Sequence, residues 1–158
     1  MVVVAAAIAW AAIVVGNGQA NTLRGTANGD KIYGLNQNDV LKGLQGNDYM
    51  EGGFGADTLS GASGNDTQYG GSGNDTVLGG AGNDSAEGDL GSDRVFLGDG
   101  ADYANVSDHV AGNDLVDCGG ADGERDFVVI DENGDDDATP NCVPFPAPDF
   151  DVIRRVED

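Results

Sequence analysis

The chain has 158 residues, a length typical of one domain, and a formal net charge of −21 with a pI near 4.1. This acidity argues against a nucleic-acid partner, because phosphates require a basic surface. High net charge with few large apolar side chains is also the composition of a disordered chain, unless a counter-ion neutralises the carboxylates.

The chain begins with an unbroken apolar run over residues 1–15. This run is short for a transmembrane helix, which needs about 20 residues, but it suits the hydrophobic region of a secretory signal peptide. The small residues at 18–20 offer a cleavage site before Asn21, although no Lys or Arg precedes Arg24. We therefore predict that residues 1–20 are a signal peptide or, alternatively, a retained apolar N-terminal cap.

Residues 16–24 support the alternative, because they fit the nine-residue register that follows. Asn21 stands where that register places an aspartate, and Leu23 stands where it places an apolar residue. Cleavage after Ala20 would cut through this degenerate coil. A retained run would cap the open end of a repeat stack. A mature N-terminus near Asn21 would support the signal, and one at Met1 would exclude it.

A strict nine-residue period organises residues 25–105. Its aspartates are Asp30, Asp39, Asp48, Asp57, Asp66, Asp75, Asp84, Asp93 and Asp102. A glycine precedes most of them by two positions, at Gly46, Gly55, Gly64, Gly73, Gly82 and Gly91, and a second glycine usually precedes by five. Glycine at this density costs a helix about 1 kcal/mol per site relative to alanine, so the pattern excludes a helix. A fixed short period predicts a solenoid.

Each unit divides into a turn and a strand. We expect the first six residues, as in 52–57, to form a turn in which glycine permits positive φ and close approach. The last three, as in 58–60, are expected to form a short strand with Leu59 pointing inward and Thr58 and Ser60 outward. Stacked units would pool one inward residue each into a continuous thin core.

The spacing of the aspartates creates an electrostatic problem. Stacking brings a carboxylate of one coil close to a carboxylate of the next, and like charges repel and raise each other's pKa. A divalent cation between them would reverse the interaction. Calcium fits best because it takes six to eight oxygen ligands, whereas magnesium needs tight octahedral geometry and zinc prefers His or Cys.

The segments 52–60 (GGFGADTLS) and 70–78 (GGSGNDTVL) resemble the nonapeptide of the RTX (repeats-in-toxin) family, Gly-Gly-x-Gly-x-Asp-x-U-x. The resemblance implies an all-β, right-handed parallel β-roll, a two-sheet solenoid with two nonapeptides per coil. It also implies calcium between same-edge turns, held by the aspartates and by turn carbonyls, including those of the glycines named above. One edge would carry Asp30, Asp48, Asp66, Asp84 and Asp102, and the other Asp39, Asp57, Asp75 and Asp93. The gaps between same-edge neighbours give about seven ions.

Several units depart from the pattern. Gln68 occupies an inward apolar position, and Leu97 replaces a first-position glycine. Asn28 and Gln37 replace the second glycine in the first two units, which predicts weaker sites there.

After residue 105 the spacing lengthens. Asp114 follows Asp102 by twelve residues, and Asp126 follows by twelve more, which indicates final coils with three-residue insertions. We divide the chain into the signal or cap at 1–20, the RTX β-roll at 21–105, and irregular final coils with a C-terminal cap at 106–158. The single histidine, His109, is interpreted as a surface loop residue, since soft-metal sites need several N or S ligands.

Cys118 and Cys142 are the two cysteines of the chain. A secreted calcium-binding chain meets conditions in which disulfides persist, and two cysteines allow one intramolecular pair. We predict a Cys118–Cys142 bridge that staples the irregular C-terminal cap and adds on the order of 3 kcal/mol. The alternative is two free thiols.

The sequence predicts a chain that is not an enzyme. One histidine cannot build His-Glu-x-x-His, and no Gly-x-Ser-x-Gly elbow with a histidine partner is present. We expect a secreted, extracellular calcium-binding protein whose folding depends on calcium. The alternative is a structural or adhesive extracellular matrix or filament protein built from calcium-loaded rolls. Calcium ions are the expected partner, without nucleic acid or a firm membrane partner, and self-association through the solenoid ends is a further hypothesis.

Overall fold

The structure is a computed structural model that describes residues 2–4, 10–107, 114–119, 126–130, 137–138 and 152–154. Within these residues all regular secondary structure is β-strand. The strands are β1 Val2–Val4, β2 Ile13–Val15, β3 Thr22–Arg24, β4 Lys31–Asn36, β5 Val40–Gln45, β6 Tyr49–Phe54, β7 Thr58–Ser63, β8 Thr67–Ser72, β9 Thr76–Ala81, β10 Ser85–Leu90, β11 Arg94–Asp99, β12 Tyr103–Asn105, β13 Leu115–Asp117, β14 Phe127–Ile130, β15 Asp137–Ala138 and β16 Val152–Arg154.

The strands form two parallel sheets. Sheet A contains the odd-numbered strands in the order β1 to β15, and sheet B contains the even-numbered strands in the order β16 to β2. Each strand pairs with the strand one coil away, so Thr58 lies opposite Thr76 and Tyr49 lies opposite Thr67. These partners are two nonapeptides apart. The structure therefore confirms an all-β, parallel two-sheet solenoid with two repeats per coil.

The strands of the central coils are twice as long as the sequence predicted. β7 runs from Thr58 to Ser63 rather than over 58–60, so the turn before the next aspartate is short. The extra length arises because the second and third positions of the following repeat also pair between coils, as Ala62 with Gly80 and Ser63 with Ala81. The prediction failed because glycine at these positions reads as a turn signal, although here it continues a ladder.

The core is a thin double row of inward side chains. In sheet A the row is Leu23, Leu41, Leu59, Val77, Val95 and Val116, and in sheet B it is Val14, Ile32, Met50, Gln68, Ala86, Ala104 and Val128. All of these residues are buried, as the period-two alternation requires. Gln68 lies in the apolar row, where its Nε2 donates to the carbonyl of Leu78 at 3.0 Å. Its buried Oε1 has no hydrogen-bond donor in the described part of the chain.

Both ends of the repeat region continue the stack. β1 pairs with β3, β2 pairs with β4, and Leu23 of the degenerate coil is fully buried. At the other end β13 pairs with β11 and β14 with β12, which confirms the final coils with inserted residues. The role of residues 1–20 as a signal or a cap stays a prediction.

Some predictions fall outside the described residues. His109 and Cys142 are two such positions, so the surface role of His109 and the Cys118–Cys142 bridge stay predictions. Cys118 is described, and its side chain is buried in the core. The described part of the chain contains no helix of the length and apolarity that crossing a membrane requires.

Candidate metal centre

A ladder of aspartates runs along each edge of the roll. The backbone N–H of one aspartate donates to Oδ1 of the aspartate one coil later. Along one edge this links Asp30 to Asp48, Asp48 to Asp66, Asp66 to Asp84 and Asp84 to Asp102, at 2.7–2.8 Å. Along the other it links Asp39 to Asp57, Asp57 to Asp75 and Asp75 to Asp93, also at 2.7–2.8 Å. The structure thus brings together the aspartates of each edge as the sequence predicted.

The ladder extends beyond the nine predicted aspartates. The N–H of Asn21 donates to Asp39 Oδ1 at 2.6 Å, so Asn21 occupies the aspartate position of the first coil. Asp93 donates in the same way to Asp114 at 2.6 Å, and Asp102 donates to Asp126 at 3.0 Å. The twelve-residue spacing in the sequence had indicated these last two members.

The second carboxylate oxygen is buried without a donor over much of the ladder. This holds, within the described residues, for Oδ2 of Asp39, Asp48, Asp57, Asp66, Asp75 and Asp84. Each of these side chains is at most 3% exposed. A buried anionic oxygen without a hydrogen bond is costly, so these atoms need a cation or a proton.

The pKa values of the ladder aspartates also show that burial disfavours their charged form. Burial raises the pKa of Asp48, Asp75 and Asp84 from 3.8 to about 7, although the hydrogen bond from the preceding aspartate's N–H lowers each value in part. Neighbouring aspartates of the ladder raise the pKa further, as Asp66 and Asp30 do for Asp48. Burial also raises the pKa of Asp39, Asp57 and Asp66. Desolvation is the largest cause in every case, and like-charge repulsion adds to it where ladder neighbours contribute.

First-position glycines form the wall against which the carboxylates pack. A Cβ on Gly52 would lie 2.5 Å from Asp57 Oδ2 and 2.5 Å from the carbonyl oxygen of Gly70. A Cβ on Gly70 would meet Asp75 Oδ2 and the Gly88 carbonyl at 2.6 Å each. These cradles therefore hold a carboxylate oxygen and a carbonyl oxygen close together, and a methyl group would fill the space between them.

The fourth-position glycines, predicted to supply carbonyl ligands, stack on one another in the turns. Gly46, Gly55, Gly64, Gly73, Gly82 and Gly91 all have positive φ, from +102° to +147°. A Cβ on Gly82 would collide with the carbonyl of Gly64 one coil earlier, so the turns require glycine for both conformation and space. The structure places them in the same turns as the aspartates, and their role as ligands stays a prediction.

The first coil differs from the central coils. Asp30 Oδ2 accepts the backbone N–H of Thr26 at 2.5 Å and its hydroxyl at 3.0 Å, while Oδ1 accepts the N–H of Ala12 at 2.5 Å. Both oxygens of Asp30 are therefore satisfied by the protein. The second unit differs, because Asp39 Oδ2 is buried without a donor among the described residues, and the expectation of weaker sites in the first two units stays a prediction.

The donor set fits calcium. The described residues bring together no cluster of three or more His, Cys, Asp or Glu side chains. With fewer than three such side chains in any one place, backbone carbonyls would have to complete the ligand set of each aspartate-bound ion. Calcium accepts such all-oxygen sets. The unsatisfied Oδ2 atoms of the central aspartates, beside the carbonyls of first-position glycines, are the atoms that would hold it. Bound calcium would supply the positive charge that the ladder lacks.

Sequence reasoning missed an outer ladder of asparagines. Asn47 Oδ1 accepts the N–H of Asn65 and Asn65 Oδ1 accepts that of Asn83, both at 2.9 Å. On the other edge Asn38 Oδ1 accepts the N–H of Ala56 at 3.0 Å. The available signal was the asparagine that directly precedes several aspartates. This exposed ladder fixes the turn whose interior carries the carboxylates.

The comparison with protein families agrees with this geometry. Residues 15–50, 33–68 and 69–104 match the RTX calcium-binding nonapeptide repeat (4 copies), and together they cover more than half of the chain. The chain belongs to the RTX calcium-binding nonapeptide repeat family. RTX nonapeptide repeats bind calcium, so this is a calcium-binding repeat protein, while the number of ions stays a prediction. No curated protein and no solved structure gives a match to the RTX chain.

Proposed function

We propose that this RTX protein is a secreted calcium-binding β-roll whose folding is coupled to extracellular calcium. The observation that carries the proposal is the row of buried, unsatisfied Oδ2 atoms from Asp39 to Asp84. Without a cation, folding would bury these charges next to one another. With calcium, the same atoms become ligands, and the free energy of metal binding appears as free energy of folding.

The overall charge supports the coupling. About seven divalent ions would add about 14 positive charges to a chain of net charge −21. The calcium-free chain keeps the full negative charge, and its core is a thin double row in which Ala86 and Ala104 contribute little apolar surface. Charge repulsion and a thin core favour the unfolded chain, so bound ions are needed to shift the equilibrium to the folded state.

Chelation tests the proposal directly. The full chain is titrated with calcium after EDTA treatment, and circular dichroism and hydrodynamic radius are followed together, with magnesium as the matched control. We expect an expanded chain that has lost most of its β signal in EDTA, and a compact β-rich chain with calcium but not with equal magnesium. An unchanged spectrum and radius after chelation would contradict the coupling.

Secretion is supported by family and sequence. RTX repeat proteins are typically secreted. Cleavage after Ala20 would remove β1 and β2, leaving β3 and β4 as the first strands of the two sheets. Sequencing the N-terminus of exported protein distinguishes a start near Asn21, which supports a signal peptide, from a start at Met1, which supports a retained cap.

The bridge between Cys118 and Cys142 remains part of the proposal. Its support is the oxidising environment of secreted proteins and the position of Cys118 in the last described coils. Mass spectrometry of unreduced protein is expected to show a mass two hydrogens below the dithiol. A mass that corresponds to two free thiols would remove the bridge.

We also propose a non-catalytic role, which is supported by the single histidine and by the lack of the hydrolase motifs considered above. The structural or adhesive alternative is favoured by one observation. Trp10 and Ile13, near the N-terminal end of the stack, are 78% and 74% exposed. Large exposed apolar residues beside an edge strand favour association. Light scattering of calcium-saturated protein should show a monomer for the first function, and calcium-dependent filaments would support the second.

A further inference from the structure

The outer face of sheet B contains a depression that calcium binding does not explain. Its volume is about 260 Å³, and it is lined by Tyr33, Leu35, Asn36, Glu51, Gly53 and Phe54. Gly53 has no side chain and leaves the floor open. The apolar walls are accessible, since Phe54 is 65% and Leu35 is 42% exposed.

Strand register places three tyrosines next to Glu51 on one face of the sheet. Tyr33 on β4 and Tyr69 on β8 are the register partners of Glu51 on β6. Tyr49 precedes Glu51 by two residues and therefore lies on the same face. The ring centroids of Tyr33 and Tyr49 are 5.8 Å apart, and those of Tyr49 and Tyr69 are 5.6 Å apart. The carboxylate is thus set in a row of three tyrosines, with Phe54 at the rim.

Glu51 lacks a cationic partner among the described residues. The tyrosine hydroxyl of Tyr49 donates to its Oε2 at 3.4 Å, a weak contact. Lys31 lies on the same face, but its register partner is Tyr49, and it forms no ion pair with Glu51 within the described part of the chain. The depression therefore presents an exposed negative charge beside aromatic rings and apolar groups.

This combination matches one kind of ligand. Aromatic faces attract cations, and quaternary ammonium groups add methyl groups that pack on rings. A bare metal ion would need several oxygen ligands, whereas the depression supplies a single carboxylate. The chain has a net charge of −21, and with about seven calcium ions bound the folded molecule still has a net negative charge, which raises the local concentration of cations around it. We propose that this depression binds a small quaternary ammonium cation, with Glu51 as counter-ion and Tyr33 and Phe54 as the flanking rings.

A titration with choline chloride tests the site. Calcium-saturated protein is used, and NMR shifts of the Leu35 methyl groups report on the depression. We expect saturable shifts with choline, and roughly tenfold weaker binding of its uncharged isostere 3,3-dimethylbutan-1-ol. Absence of saturable shifts, or equal binding of the isostere, would overturn the proposal.

Matched variants locate the site. Glu51→Gln and Phe54→Ala should each weaken choline binding by at least about fivefold. Glu87→Gln is the control, because Glu87 lies on the same face two strands away, in register with Tyr69. Its choline affinity should equal that of the parent protein, and an equal loss in both glutamate variants would overturn the site. Circular dichroism in calcium verifies folding of each variant, so failure here is distinct from failure of calcium-coupled folding.

Co-sedimentation with phosphatidylcholine vesicles distinguishes two sources of the cation. Co-sedimentation that Glu51→Gln abolishes assigns the cation to a lipid headgroup, and choline binding without co-sedimentation assigns it to a free compound.

Discussion

The central coils and the C-terminal coils of the roll fill their interior differently. In the central coils the first position of each repeat is glycine, as at Gly52 and Gly70, and an aspartate oxygen packs against it. In the C-terminal coils that position carries Leu97, Val106 and Cys118, which are at most 2% exposed and belong to the apolar core. Under the proposed coupling, the same fold would be stabilised by two means, by calcium where the first-position side chain is absent and by apolar packing where it is present.

The largest expected effect is that of pH on the calcium-free protein, because it acts on all central aspartates together. Burial raises the pKa of Asp48, Asp75 and Asp84 from 3.8 to about 7 in the folded state. Their stabilising contribution is therefore complete below about pH 3.8 and is lost as pH rises through about 7. In EDTA we expect β structure to form on acidification and to disappear near neutral pH, as measured by circular dichroism. A calcium-free roll that is more stable at pH 8 than at pH 5 would contradict this account.

Shortening a core residue tests the apolar coils. Leu97→Ala removes a fully buried side chain and leaves a cavity, at a cost of roughly 2–5 kcal/mol. Because the loss concerns packing rather than ions, urea unfolding should show the same loss of stability at every calcium concentration that keeps the parent protein folded. If raising calcium restores parental stability, the distinction between the two regions is wrong.

Adding a methyl group tests the ion-dependent coils. A Cβ in Gly70→Ala would lie 2.6 Å from both Asp75 Oδ2 and the Gly88 carbonyl, so overpacking should cost roughly 1–3 kcal/mol and weaken calcium binding. Both variants are made in the full-length, uncleaved chain, in which Gly18→Ala is the control because nothing lies within 4 Å of the added atom. The calcium midpoint of folding should rise for the first variant and stay constant for the second. Equal midpoints would show that the cradle has no function.

The effect on stability of removing one buried charge should change sign between the calcium-free and the calcium-bound protein. Asp75→Asn keeps an acceptor for the N–H of Asp57 but removes a buried negative charge. We expect the variant to be more stable than the parent in EDTA and less stable in saturating calcium, by about 1–2 kcal/mol in each case. The exposed Asp99 supplies the control Asp99→Asn, for which we expect no change of sign between EDTA and saturating calcium. A loss of stability in both conditions would indicate that Asp75 acts through hydrogen bonds alone.

The smallest effect is expected at Gln68. Its register partner in the same apolar row is Met50, so Gln68→Met fills the position with a side chain that the core already accepts. Removal of the unsatisfied Oε1 outweighs the lost bond to Leu78, for a gain of about 1 kcal/mol. Met50→Gln should do the reverse. Chemical unfolding in calcium measures both, and a destabilised Gln68→Met would mean that the Leu78 contact is the stronger term.

Much of this fold follows from the sequence because its period is strict. The ninefold spacing fixes which aspartates share an edge, and the alternation around Leu59 fixes which residue faces inward. The final coils at Asp114 and Asp126 were also predictable, because the turn and strand residues of the repeat recur there at twelve-residue spacing.

Other features depend on three-dimensional contacts that a repeat pattern does not encode. Gly52 lies within a strand instead of only in a turn, because the residues on either side of it, Glu51 and Gly53, pair with Tyr69 and Gly71 one coil away. Hydrogen bonding of Asp57 Oδ1 to the backbone of Asp39 leaves Oδ2 for other ligands, and the spacing alone does not reveal this division. The tyrosine row around Glu51 likewise requires knowledge of strand register.

Hydrogen exchange with and without calcium tests the central claim most directly. The account predicts that amides of the aspartate ladder, such as those of Asp39, Asp57 and Asp66, are protected in calcium and exchange at unfolded-chain rates in EDTA at neutral pH. Amides near Leu97 and Val116 should retain more of their protection, because apolar packing contributes there. Equal protection of the ladder amides in calcium and in EDTA would contradict the claim that calcium between stacked aspartates holds the roll together.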